Sequence, residues 1–65
     1  MIRRDDIEIR DQQHLMDAEG SHDEQPTPTQ IAGILSSEGW ICTDLDIWFD
    51  TIQGLWKWSC AIERI

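Results

Sequence analysis

Along Trp40–Ile65, apolar and polar residues alternate with a period of two. In the first half Ile41, Thr43, Leu45, Ile47 and Phe49 fall on one side, and Cys42, Asp44, Asp46, Trp48 and Asp50 on the other. After Gln53-Gly54 a second alternation sets Trp56, Trp58, Cys60 and Ile62 against Lys57, Ser59, Ala61 and Glu63. This period belongs to strands with one buried face, and two such runs around a Gly-containing turn predict a β-hairpin. A two-residue loop, Gln53-Gly54, places Phe49 opposite Trp58. A four-residue loop, Thr51–Gly54, places Phe49 opposite Trp56 and Ile47 opposite Trp58. Both keep the apolar faces together. The two-residue loop is favoured because Gly54 can take the positive φ of a type I′ turn; it also sets Asp50 across from Lys57.

Upstream, Ile7 and Ile9 alternate with Asp6, Glu8 and Arg10, which predicts a short half-buried strand with the charged outer face of an edge. Gln12–Met16 fits either a second short strand or one helical turn. Residues 17–26 are polar and acidic, without periodicity, and are expected to form a loop. A helix is predicted over 27–38. Thr27 suits the N-cap, Pro28 the first helical position and Gln30 the capping box. Ile31, Ile34 and Leu35 form its apolar stripe, Ala32 and Gly33 allow a close approach to a sheet, and Gly39 ends it in the left-handed cap position. The order β-loop-α-β-β defines a small α+β domain over residues 1–65. One helix packs on a three- to four-stranded antiparallel sheet, with an N-terminal strand region at 1–16 and the hairpin at 40–65.

Composition narrows the function. The chain has 65 residues and a net charge of −8, from 13 acidic and 5 basic residues. A domain this small has a thin stability margin, which its four tryptophans help to offset. The charge disfavours direct contact with nucleic acid or anionic membrane and favours a basic protein surface. Met1-Ile2-Arg3-Arg4 does not resemble a signal peptide, and no apolar run reaches the length of a membrane span. Cys42 and Cys60 are assigned to opposite faces of the hairpin, too poorly oriented to bridge, and are read as free thiols of a bacterial host cytoplasm.

Candidate chemistry is sparse. His14, His22, Cys42 and Cys60 lack the close pairs that seed a zinc site, and both histidines are expected to be solvated. No cofactor is implied. A thin core leaves little room for a catalytic pocket, and the chain is read as a non-enzyme. Asp44, Asp46 and Asp50 share one side of a strand with Trp48, and Glu63 neighbours them on the next strand. A row of carboxylates imitates the charge of a nucleic-acid backbone, and an exposed tryptophan is a frequent interface anchor. These five residues are the candidate partner-binding site. The alternative is a small regulatory or structural module, antitoxin-like or homodimeric, that uses its sheet edge.

The segment Thr51–Trp56 (T-I-Q-G-L-W), with the order of elements, resembles the turn and second hairpin strand of a type I-F anti-CRISPR family, although this chain is far more acidic. The resemblance implies a phage-encoded cytoplasmic inhibitor. Its implied partner is the basic guide- or DNA-binding surface of a Cascade-type CRISPR effector complex.

Overall fold

In the computed structural model, residues 2–13 and 15–65 are described. A 3-10 turn, Arg4–Asp6, leads into β1 (Ile7–Gln12) and β2 (Leu15–His22). Helix α1 (Pro28–Ser37) follows, then β3 (Trp40–Asp50) and β4 (Leu55–Arg64). The strands form one antiparallel sheet in the order β1-β2-β4-β3. The α+β class and the single helix are as the sequence predicts. The described residues form four strands, in the order β-β-α-β-β.

The extra strand covers most of the expected acidic loop. β2 runs to His22 and pairs with β1 on one side and β4 on the other, so residues 17–22 are sheet. Alternation is present there but written in small residues. Ala18, Gly20 and His22 face the core, while Asp17, Glu19 and Ser21 face away. Their inner positions are small because β4 supplies the bulk. Trp58, fully buried, lies over Gly20, where a Cβ would sit 2.6 Å from the indole Nε1.

Helix α1 begins as its residues dictate. The Thr27 hydroxyl accepts from the Gln30 amide at 3.2 Å, and the Gln30 side chain accepts from the Thr27 amide at 3.0 Å, a complete capping box. Thr27→Ala is expected to lower stability by about 1 kcal/mol. In a domain of this size that is a thermal shift of several degrees, read by circular dichroism. At the other end Gly39 takes φ +88° and its amide bonds the Ser36 carbonyl. Ile31 and Leu35 are fully buried on a face that packs against β3. Ala32 and Gly33 are exposed instead of facing the sheet, so the close approach expected of them is not used.

The β3–β4 hairpin departs from the favoured register in two ways. Asp50 pairs with Leu55, which leaves a four-residue loop, Thr51–Gly54, and sets Phe49 opposite Trp56 and Ile47 opposite Trp58. The longer loop wins because Asp50 closes it. Its carboxylate accepts from the amides of Ile52 (2.9 Å) and Gln53 (3.1 Å), and its carbonyl accepts from Gly54 at 2.8 Å. Gly54 still needs its φ of +68°.

A β-bulge between Thr43 and Asp46 is the second departure. Asp44 takes φ +51°, and Asp44 and Leu45 together oppose one residue of β4. The extra residue shifts the facing by one. Before the bulge Trp40 and Cys42 point into the core and Ile41 and Thr43 point out; beyond it Leu45 and Ile47 are the inner residues. Ile41 and Thr43 are therefore not core, and Cys42 lies on the same face as Cys60. The premise that the thiols point apart is overturned, although both are free. Burial, with the neighbouring Cys42 thiol, pushes the Cys60 thiol up to about 12, so Cys60 behaves as a small apolar side chain.

The core joins Ile2, Ile7, Ala18, Ile31, Leu35, Trp40, Trp58, Cys60 and Ile62. Arg64 lies 4.7 Å from the ring centroid of Trp40 and closes that end with a cation–π contact.

Candidate functional site on the helix-free face

The helix occupies one side of the sheet, and among the described residues the side chains on the other side meet no second layer. Strand register builds that face in rows. Glu8 pairs with Glu19, Glu19 with Ser59, and Ser59 with Asp46. One row thus carries Glu8, Glu19 and Asp46 from β1, β2 and β3, with Ser59 of β4 between the last two. In the adjoining row, Ser21 pairs with Lys57 and Lys57 with Trp48. Successive strands lie about 4.8 Å apart. Ser21 is short, and a cleft of about 200 Å³ opens at it, bounded by Asp6, Glu8, Glu19, Trp48 and Lys57. Trp48 is 45% exposed, with its indole forming one wall.

Of the five residues picked out by sequence, Asp46 and Trp48 stand together on this face. Asp50 is on the same side, but its carboxylate is committed to the turn and to Lys57 Nζ at 3.4 Å. The amide of Gln53 first, then burial against it, then Ile52 and Lys57, leave the Asp50 carboxyl below its ordinary value. Asp44 sits in the bulge, which breaks the even spacing of the expected row. Glu63 pairs with Ile41 farther along the sheet and does not neighbour the cleft.

Glu8 and Glu19 are the residues that sequence reasoning missed. Glu19 lies in the segment expected to be a loop, and only β2–β4 pairing carries it toward Asp46. Directly opposed like charges are unfavourable across a strand pair. Arg10 relieves part of this, reaching Asp17 at 2.6 Å and Glu19 at 3.3 Å. No comparable ion pair to Asp46 or Glu8 is found among the described residues.

His22 is a second correction. It is 7% exposed and not solvated, and its imidazole Nε2 accepts from the indole Nε1–H of Trp58 at 2.8 Å. Beside it opens a cleft of about 420 Å³ bordered by Ile2, Arg3, Asp6, Asp23 and Gln30. His14 lies outside the described residues. Among those described, no three His, Cys, Asp or Glu side chains cluster as metal ligands, and no helix is long and apolar enough to cross a membrane.

Comparison with protein-family models, characterised proteins and solved structures finds no match to this chain.

Proposed function

We propose that this chain is a non-catalytic binding protein whose helix-free acidic face covers a basic, nucleic-acid-binding surface of a partner protein. The observation that carries the reading is Trp48, half-exposed beside the carboxylates of Glu8, Glu19 and Asp46 on a face with no second layer. A large aromatic ringed by charge supplies the anchor of an interface. The surrounding carboxylates supply attraction to Lys and Arg, and repel nucleic acid itself. Glu8, Glu19 and Asp46 come from three strands, so their spacing is held by the sheet and not by a flexible tail. The resemblance around Thr51–Trp56 favours a phage-encoded inhibitor of a Cascade-type complex, acting in the bacterial cytoplasm.

The test is displacement. Added to a Cascade-type effector bound to labelled DNA, the chain is expected to release the DNA in a stoichiometric, salt-sensitive manner. Unchanged DNA binding at a large excess of the chain would exclude that partner.

One feature supports a second reading as a homodimeric module. β3 is eleven residues long and lies at the edge of the sheet, with β4 as its one strand neighbour. The bulge at Asp44 and the flanking aspartates are devices that discourage edge pairing, which places this reading second. Light scattering separates the two: a monomer fits the inhibitor, and a dimer that persists at low concentration fits the module.

A further inference from the structure

We infer that His22 and Trp58 form an acid-sensitive latch between the two hairpins, closed when His22 is neutral and released when it is protonated. An indole N–H can only donate, so the 2.8 Å bond requires a lone pair on His22 Nε2 and places the imidazole proton on Nδ1. The rings are 13° from parallel with centroids 6.4 Å apart, the geometry of an N–H···N bond made nearly in plane. Protonation puts a second donor on Nε2, and two N–H groups then face each other inside the core. Trp58 has no room to turn to water, so a protonated His22 must swing into the cleft beside it and break the bond. Trp58 is fully buried, and Gly20 directly beneath it leaves no spare volume.

The position of the bond makes it a latch rather than a local contact. His22 belongs to the β1–β2 hairpin and Trp58 to the β3–β4 hairpin, and the sheet is joined at the middle only through β2 and β4. On the opposite face, in the neighbouring rows, lie Glu19 and Ser21 from β2 and Lys57 from β4. Opening the latch therefore loosens the carboxylates of β1 and β2 from the strand pair that carries Trp48. The inference does not depend on what binds that face.

The charged groups around His22 come from the N-terminal segment and from the residues that follow β2. Burial is the largest influence and holds the imidazole below its ordinary value, against Asp6 from the 3-10 turn, which favours the protonated ring. Arg3, Asp23 and Glu24 border the same cleft, α1 contributes only the neutral Gln30, and β4 contributes Leu55 and Trp58. The sign follows. As pH falls below 6.5 the unfolded chain takes up its proton first, so the bond's stabilisation is present above that pH and is lost as pH falls through the folded-state value.

The experiment uses the full chain, followed by NMR from about pH 8 to pH 5, with urea unfolding measured over the same range. His22 is expected to titrate below 6.5, and the Trp58 indole N–H resonance should move or broaden with the same midpoint. The urea midpoint of the wild type should fall across this window. In His22→Gln the amide oxygen can still accept from Trp58 and the side chain does not titrate, so the fall across this window should shrink. Should the variant fail to fold, the wild-type resonances decide alone. The latch is overturned by His22 titrating at or above 6.5, by a Trp58 resonance that stays still while His22 protonates, or by equal pH dependence in the two proteins.

Discussion

Gly20→Ala is expected to be the most damaging single-methyl change in the domain, lowering stability by about 3 kcal/mol. The added Cβ would meet Trp58 Nε1 at 2.6 Å, Trp58 Cε2 at 2.8 Å and His22 Nε2 at 3.0 Å. None of these is the free end of a flexible chain. Trp58 is packed on all sides, so the indole must tilt, strain its rotamer and give up its bond to His22. For a domain of this length the loss corresponds to a fall in melting temperature of more than about 10 °C. Gly33→Ala is the control, because a Cβ there has open space within 4 Å and the helix gains propensity. It should hold or raise the melting temperature. A Gly20→Ala protein that melts with the wild type would show that Trp58 does not occupy the space over β2.

Trp48→Ala is expected to have the largest effect on binding. Truncating a central tryptophan anchor removes about 2 kcal/mol or more of interface energy, a loss of roughly thirtyfold in affinity expressed mainly as faster dissociation. The fold should be little disturbed, since Trp48 is 45% exposed and stands outside the core. Trp58→Ala would instead empty the middle of the core, with an expected loss of about 3–5 kcal/mol. A binding defect in the first variant with a wild-type melting curve separates an interface role from a structural one. Unchanged dissociation would reassign Trp48 to an ordinary half-exposed position beside Lys57.

The features legible from sequence were those written in strong local chemistry. Thr27-Pro28-Thr29-Gln30 and Gly39 fixed both ends of the helix, because caps act within a few residues of themselves. The Trp56–Ile62 alternation on β4 held because Trp56, Trp58 and Ile62 are large apolar residues at its inner positions. β2 was hidden for the converse reason. Ala18 and Gly20 fill inner positions with almost no side chain, and the bulk that covers them arrives from Trp58 far along the chain. His22 looked like a loop residue for the same reason, since its burial depends on the tertiary pairing of β2 with β4. The bulge at Asp44 also left no readable mark. A single extra residue reverses the facing of every position before it, which moved Cys42 inward and Ile41 outward. Asp46 and Trp48 were found because they follow the bulge and keep the alternation of the hairpin's distal half. Glu8 and Glu19 could not be joined to them without knowing the strand order.

Glu8 and Asp46, neither with an ion-pair partner among the described residues, are the carboxylates proposed to contact a basic partner across the helix-free face. The most direct measurement is the dissociation constant of Glu8→Gln/Asp46→Asn toward that partner, compared with the wild type from about 50 to about 500 mM salt, a range that shortens the screening length severalfold. Both replacements keep shape and remove charge. The wild type should weaken steeply as salt rises, while the variant binds more weakly at low salt and depends on salt less. Equal affinity and equal salt dependence in the two proteins would contradict a contact of Glu8 and Asp46 with the partner.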